Sequence, residues 1–202
     1  MLDAEVITGS IEDPPSFDVL FERYVSDVTR FVTRGASPSY VEDLVVETFI
    51  EAFKTRARFD TARVSARPWL YGIANNVLRH HYRALARERA LFRKSTQCFV
   101  DEWIATLDTG AIDSRVDASA SEALLAGALA DLSPEFREPL LLHVLADLTY
   151  AEVAEALGVP SGTVRSRISR AKERLRDLLV AAGASSPPDV LDSMACKERR
   201  DG

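Results

Sequence analysis

The sequence predicts an all-α protein with two small helical domains joined by an acidic linker. Apolar residues recur every three or four positions in several stretches, which is the spacing of one buried face of an α-helix. Residues 96–118 differ, because they carry five acids and one arginine without a sustained period, as is typical of a linker. With 47% apolar residues among 202, the chain can build a core on each side of that linker.

The first domain is predicted over residues 17–95 and contains three helices. Apolar residues keep a helical period from Phe17 to Gly35, and again over about residues 39–55. A third helix begins near Pro68, since proline is favoured in the first turn of a helix. Residues 1–16 are acidic and contain two adjacent prolines near their end, so they are expected to form a flexible lead-in.

The second predicted helix has an unusual outward stripe. Asp43, Val46, Glu47 and Ile50 recur at helical spacing on the side opposite the predicted core, so two carboxylates and two aliphatic side chains share one face. Such a mixture suits a docked partner helix, but it also occurs on ordinary surfaces. The pattern alone leaves both interpretations open.

The outward face of the third helix is cationic and has aromatic neighbours. Between Arg63 and Lys94 there are eight arginines or lysines and the single acid Glu88. Arginine next to aromatic rings is a combination that binds single-stranded nucleic acid, with phosphates on the cations and bases on the rings. The candidate residues are Trp69, Tyr71, Asn76, Arg79, His80 and Arg83, with Tyr82 and Arg87 beside them. The aromatic residues are equally well explained as core residues.

The second domain is predicted over residues 119–183, and residues 184–202 are expected to form a flexible tail. Within this domain Thr149 and Glu152 have the spacing of a capping box at the start of a helix. Gly158 can end that helix in the left-handed conformation, which leaves a turn of only three or four residues before the next helix. Two helices joined by so short a turn indicate a helix-turn-helix unit.

The second helix of this unit is basic on every side except its apolar stripe. The stripe consists of Val164, Ile168, Ala171, Leu175 and Leu178. The outward positions carry mainly hydroxyl and guanidinium groups, and the candidates for DNA contact are Ser161, Thr163, Arg165, Ser166, Arg167, Ser169 and Arg170. This pattern is typical of a recognition helix in a DNA major groove, and the alternative is a solvated basic face on an ordinary helical hairpin.

The sequence lacks the residues that several functional classes require. The chain has no Gly-rich phosphate loop, no paired carboxylates beside histidine and no nucleophile with a partner base, so an enzyme is not expected. Cys98 and Cys196 lie far apart in poor contexts for metal binding, and we expect neither a disulfide, nor a metal, nor a cofactor. His80 and His143 are expected on helix surfaces.

The same reasoning predicts a cytoplasmic protein without membrane insertion. No apolar run approaches the roughly 20 residues that a membrane-spanning helix needs. The acidic start of the chain also lacks the basic and then apolar order of a signal peptide. The formal net charge of −6 is unevenly distributed, because residues 63–94 and 165–176 form two basic islands in an acidic chain.

Three motifs in this order carry a family resemblance. The first domain contains YVEDLVVETFIEAF followed by RPWLYGIANNVLRHHYR, and the second contains LSPEFREPLLLHVLADLTYAEVAEALGVPSGTVRSRISRAKERLRDLL. The first two resemble region 2 of the sigma-70 family, in its small extracytoplasmic-function class, and the third resembles region 4 of that class. The resemblance covers about residues 17–95 and 119–180.

The resemblance implies a sigma factor that directs promoter-specific initiation as a subunit of RNA polymerase. Region 2 would bind the clamp helices of the β′ subunit and open the −10 element as single strands, and region 4 would bind the β flap and read the double-stranded −35 element. It further implies action at the nucleoid. Regulation by an anti-sigma factor is usual for the class, and the sequence leaves open whether one acts on this chain.

The family motifs also imply roles for individual residues. Asp43, Glu47 and Phe49 stand in the core-binding motif, beside Val46 and Ile50. The −10-reading asparagine corresponds to Asn76, and the base- and backbone-contacting positions of the recognition helix correspond to Arg165, Ser166, Ser169 and Arg170.

Two residues depart from the family pattern. Val46 replaces a polar residue, usually Gln, and Gly72 replaces a residue that is usually basic. The first substitution bears on the strength of core binding, and the second removes one phosphate contact.

A stand-alone helix-turn-helix regulator is the alternative function. It predicts a ligand pocket or a dimer interface within residues 17–95. The sequence there carries no distinct signature of either.

Overall fold

A computed structural model of the chain describes residues 1–91, 125, 127–129 and 131–181. The described residues form helices and turns without a β-strand, so the predicted all-α class is confirmed. The helices are α1 (Asp3–Glu12), α2 (Asp18–Thr33), α3 (Pro38–Thr55), α4 (Arg67–Leu91), α5 (Pro134–Leu145), α6 (Tyr150–Leu157) and α7 (Ser161–Ala181). Short 3-10 helices at Pro14–Phe17 and Arg56–Arg58 follow α1 and α3.

The start of the chain differs from the flexible lead-in expected for residues 1–16. It forms α1, which buries Val6 and Ile7 against the first domain. The acids that suggested disorder stabilise the helix, because Asp3 and Glu5 lie in its first turn, where the helix dipole favours negative charge. The Glu5 carboxylate also accepts a hydrogen bond from the Leu2 amide at 2.8 Å.

Helices α2, α3 and α4 pack around one core, as their apolar periods predict. Leu20, Val28 and Leu44 are almost fully buried in it. The rings of Phe31 on α2 and Tyr71 on α4 meet edge to face, with centroids 5.2 Å apart. Proline occupies the first turn of both α3 and α4, where its missing N–H has no cost.

Helices α6 and α7 form the predicted helix-turn-helix. The Thr149 hydroxyl accepts from the Glu152 amide at 3.3 Å, and the Glu152 carboxylate accepts from the Thr149 amide at 2.8 Å, so the capping box is present. Gly158 ends α6 with φ 65°, a left-handed conformation that glycine adopts without strain. The buried stripe of α7 ends in Leu179 instead of Leu178, which is half-buried.

His143 on α5 is buried, in contrast to the surface position expected from the sequence. Its Nδ1 lies 2.7 Å from the carbonyl oxygen of Leu148. The buried residues of α5 occur around much of the helix, because α7 packs on one side and α6 on another. A helix buried on more than one side shows no clear outward face in its sequence.

Several segments for which predictions were made lie outside the described residues. They are the linker over 96–118, the tail over 184–202 and the first residues of the second domain, and both cysteines lie in these segments. Residues 125 and 127–129 are helical, and Ala128 and Leu129 are buried.

Candidate DNA- and protein-binding surfaces

The α7 residues that were candidates for DNA contact lie on its open face. Thr163 and Arg167 are half-buried, and the exposed ones are Ser161, Arg165, Ser166, Ser169 and Arg170. The guanidinium of Arg165 lies 5.7 Å from the centre of the Tyr150 ring, a cation–π distance that steadies the side chain near the start of the helix. This face presents cations and hydroxyls together, which is the chemistry that phosphates and base edges require.

The stripe on α3 is exposed as its spacing predicts. Val46 and Ile50 are 49% and 47% exposed, and Asp43 and Glu47 are exposed beside them. Phe49 is instead 6% exposed, because its ring packs edge to face against Phe21 at 4.8 Å. Phe49 therefore supports this surface from behind and is not available for direct contact.

Phe21 belongs to the apolar helical period of α2 but is partly exposed at the surface. It is 39% exposed although it packs on Phe49. Its position in the helical period of α2 gave no signal of exposure, because it lies at the border between the buried and open faces.

The outward face of α4 keeps only some of the predicted candidates. Asn76, His80 and Arg83 are exposed, and Arg79 is half-buried. Arg79 donates to the side-chain oxygen of Asn76 at 2.7 Å. These four side chains form one polar surface.

The aromatic candidates on α4 pack mostly against the core. Tyr71 is buried, burial raises the pKa of its hydroxyl, and it cannot stack on a base. Trp69 is half-buried and packs edge to face on Phe59, with centroids 5.1 Å apart. Of the two interpretations that the sequence left open, the core interpretation is correct for Tyr71.

An irregular loop over residues 60–66 lies between α3 and the start of α4. The Asp60 carboxylate accepts from the Ala62 amide at 3.0 Å, so the loop opens with an Asx turn. Val64 is 94% exposed, an unusual position for an aliphatic side chain. At the other end, the Ala66 amide donates to the Asp3 carboxylate at 2.7 Å.

The two domains contact each other through the polar face of α4. Asn75 donates to the Glu138 carboxylate on α5 at 3.3 Å, and an Arg79 nitrogen lies 3.9 Å from the other oxygen of that carboxylate. The second domain therefore places an acid on the helix face that was predicted to bind nucleic acid.

Arginines of the first domain also reach the end of α5. Arg34 donates to the carbonyl oxygen of Leu145 at 3.1 Å, and Arg67 donates to that of Ala146 at 2.8 Å. The last carbonyls of a helix have no partner within the helix and carry its negative dipole end, so cations stabilise them. Arg34 and Arg67 thus help to join the two domains.

An ion pair joins the loop to the helix-turn-helix. Arg63 lies 3.0 Å from the Glu155 carboxylate on α6. Burial raises the pKa of Glu155, and Arg63 partly opposes that effect.

Neither a metal site nor a membrane helix appears in the described part of the chain. No group of three or more His, Cys, Asp or Glu side chains there could hold a metal ion. None of the described helices combines the length and apolar character needed to cross a membrane.

Comparison with known proteins decides the family. The family model described as "Sigma-70 region 2" matches residues 20–88, and that described as "Sigma-70, region 4" matches residues 122–175. The chain is 38% identical over 150 residues to the ECF RNA polymerase sigma factor SigC of Mycobacterium tuberculosis. This alignment covers 74% of this chain and 75% of that protein. The chain is an extracytoplasmic-function (ECF) sigma factor.

Two solved structures share the fold of this sigma factor. CnrH, in complex with the cytosolic domain of CnrY, is 24% identical and has a TM-score of 0.58, over 89% of this chain and 97% of that one. The sigma factor RpoE of Bartonella quintana, in complex with the anti-sigma factor NepR, is also 24% identical and has a TM-score of 0.50, over 81% of this chain and 96% of that one. Both comparisons show the helical fold.

Membership of the family establishes the function in outline. Sigma factors are non-catalytic subunits that direct RNA polymerase to promoters, and regions 2 and 4 bind the polymerase and promoter DNA. In this sigma factor region 2 contains nearly all of α2, all of α3 and most of α4, and region 4 contains α5, α6 and most of α7. Helix α1 lies outside both matched ranges.

Proposed function

We propose that this ECF sigma factor reads two promoter elements with two separate surfaces and binds RNA polymerase core with a third. The observation that carries the proposal is that three chemically distinct faces are exposed on α7, on α3, and on α4 with its neighbouring loop. The protein supplies specificity to the polymerase and no catalytic group. It acts in the cytoplasm, at the nucleoid, where its promoters lie.

The face of α7 reads the −35 element as duplex DNA. Arg165 and Arg170 are the candidates for bidentate contacts to guanine, and Ser166 and Ser169 for backbone or base contacts. Ser161, Thr163 and Arg167 lie near the start of the same helix, where backbone amides and the helix dipole favour phosphate. While region 4 reads this element, its remaining surface binds the β flap.

The exposed part of α4 and the loop over residues 60–66 read the −10 element as single strands. Asn76, His80 and Arg83 supply hydrogen bonds and charge along the helix, and Arg79 orients Asn76. An unstacked base needs a pocket of irregular backbone beside a rigid element, which the loop and α4 provide. Trp69 flanks this surface at the start of α4.

The stripe of Asp43, Val46, Glu47 and Ile50 on α3 binds the clamp helices of the β′ subunit. Exposed aliphatic side chains between carboxylates are expected to pack on an apolar strip bordered by cations. Val46 increases the apolar area of the stripe relative to the polar residue usual in the family. Phe49 keeps the stripe in place through its contact with Phe21.

The contact between the domains must open before both promoter elements can be bound. Elements at −10 and −35 lie about 25 base pairs apart, or roughly 85 Å at ~3.4 Å per pair. The α4 and α7 surfaces cannot span that distance while α4 packs on α6 and Asn75 contacts Glu138 on α5. We infer that the described arrangement is that of the free protein and that core polymerase separates the domains.

The experiment that tests the function is run-off transcription from a genomic promoter library with purified bacterial core polymerase. Transcripts that depend on the added protein, and that share −10 and −35 sequences, support the proposal. Tight and specific promoter binding by the protein alone, without any dependent transcript, would instead favour a stand-alone regulator.

We also propose that an anti-sigma factor regulates this chain, since RpoE was solved with such a partner. The test is run-off transcription with increasing amounts of a protein that copurifies with the chain. Inhibition at one-to-one stoichiometry supports the proposal, and copurification without inhibition contradicts it.

A further inference from the structure

Asp3 is a buried carboxylate in a helix that neither family range includes. It is 5% exposed. One carboxylate oxygen pairs with Arg23, and the other accepts from Tyr24 at 2.5 Å and from the Ala66 amide at 2.7 Å, with the Ser65 hydroxyl at 3.4 Å. Burial of a charge is costly unless donors surround it, and here donors from two parts of the chain, α2 and the loop before α4, do so.

The hydrogen bonds keep this carboxylate ionised. Burial by itself raises the pKa of Asp3, and the bonds from Tyr24, Ala66 and Arg23 lower it by more, so the net shift is downward. The side chain therefore holds a full negative charge at neutral pH.

That charge lies at the start of α4. Ala66 directly precedes α4, and the Ser65 hydroxyl accepts from the Arg67 amide at 3.1 Å. The first amides of a helix have no partner within the helix, and a negative charge next to them is favourable. Asp3 thus caps α4 from a distant part of the sequence.

The same contact fixes one end of the loop over residues 60–66. The other end is held by the Asp60 turn and by the Arg63–Glu155 ion pair, which joins the loop to region 4. Once the domains separate, the ion pair is lost, and the end of the loop next to α4 is held by Asp3 and by the contact of the Tyr24 hydroxyl with Ser65 at 3.1 Å.

We propose that Asp3 is a positioning residue for −10 recognition, because it holds Ser65 and Ala66 and thereby the shape of the loop beside α4. The proposal rests on the role of that loop in reading the −10 element. In this way helix α1 stabilises the surface that reads the −10 element. Its effect on −10 recognition would vary among sigma factors whose sequences before region 2 differ.

The test uses full-length protein with core polymerase and two promoter libraries, one varied at −10 with a fixed −35 element and the other the reverse. Asp3→Asn keeps the shape of the side chain and removes its charge. Its −10 preferences should change by about threefold to tenfold relative to wild type, while its −35 preferences stay the same. Arg23→Ala leaves the carboxylate but loosens it, so it should change the −10 profile in the same direction by a smaller factor.

The matched control is Val6→Ala, which weakens the packing of α1 without touching the carboxylate. It should lower the melting temperature and leave the −10 profile unchanged at 25 °C. An equal change of profile in Val6→Ala, or unchanged −10 profiles in both Asp3→Asn and Arg23→Ala, would overturn the role of Asp3.

The variant Val64→Ala tests the role of the loop in −10 recognition separately from the role of Asp3. If it shifts the −10 profile and the Asp3 and Arg23 variants do not, only the role of Asp3 fails. If neither it nor exchange of the whole loop shifts the profile, the role of the loop fails as well.

Discussion

Gly72 on α4 and Ala156 on α6 approach each other more closely than any residue with a side chain would permit. A Cβ at position 72 would stand 2.5 Å from the carbonyl oxygen of Ala156, so a larger residue there must displace backbone. The family resemblance leads us to expect a basic residue at this position. The departure has a structural reason in this chain, because glycine allows region 2 to pack against region 4.

Gly72→Gln should therefore separate the two regions. Glutamine is uncharged, so a gain in DNA affinity could not come from a new cation. If about a tenth of the wild-type protein is open, full opening would strengthen binding of a −10 single strand about tenfold. The measurements are the radius of gyration from X-ray scattering and fluorescence anisotropy with a labelled oligonucleotide.

Gly127→Ala is the matched control for that variant, since a Cβ at position 127 meets no atom within 4 Å. It should behave like wild type in both measurements. If Gly72→Gln also behaves like wild type, the contact between the regions does not limit DNA binding.

Arg165→Ala and Arg170→Ala should each weaken activity at promoters with a strong −35 element. The loss should be about 1–3 kcal/mol for an arginine that contacts a base. An arginine that contacts phosphate should instead reduce the salt dependence of binding. The measurement is promoter binding by the holoenzyme at several salt concentrations.

Arg176→Ala supplies the comparison, because Arg176 is an exposed cation further along α7. It should leave sequence preference unchanged. Equal losses for all three variants would mean that α7 contributes only a general positive charge.

Ile50→Glu should abolish most core binding without unfolding the protein. Ile50 is 47% exposed, so the melting temperature should hardly change, whereas a charge buried in an interface should weaken core binding by several kcal/mol. Calorimetry and a binding titration with core polymerase measure the two effects.

Two control variants test the specificity of the effect expected for Ile50→Glu. Val180→Glu places a charge at an exposed apolar residue on α7 and should affect neither measurement. Phe49→Ala should destabilise the fold by about 3–5 kcal/mol, because its ring is buried. Normal core binding by Ile50→Glu would exclude the α3 stripe from the interface.

Asp3 should make stability depend on acid pH. The pKa of Asp3 is lowered from its ordinary value of 3.8 in the folded protein, so its contribution to stability is fully present above that value and is lost as the pH falls through the lower folded value. The difference in unfolding free energy between wild type and Asp3→Asn should be largest at neutral pH and should shrink near pH 3.

Denaturant unfolding at pH 7 and pH 3 measures this difference, with Glu12→Gln as an exposed control on the same helix. A difference that does not vary with pH would mean that ionisation of Asp3 does not contribute to the stability of the fold.

Local patterns in the sequence determined the helices and the unit that reads DNA. The capping box of Thr149 and Glu152, the end of α6 at Gly158 and the outward stripe of α3 were all predicted, and the structure contains each of them. These features depend on residues within one or two turns of each other. The spacing of these residues in the sequence is therefore enough to predict the features.

Only the tertiary structure decided which helix faces meet. It placed Phe49, Tyr71 and His143 in the core, ordered α1 through Asp3, and brought Gly72 against Ala156. A helical period shows which side chains share a face, but burial depends on what packs against that face. For Phe49, Tyr71, Asp3 and Gly72 those partners lie about 20 or more residues away in the sequence, so no local pattern could identify them. His143 contacts the nearer Leu148, but that contact depends on the turn after α5.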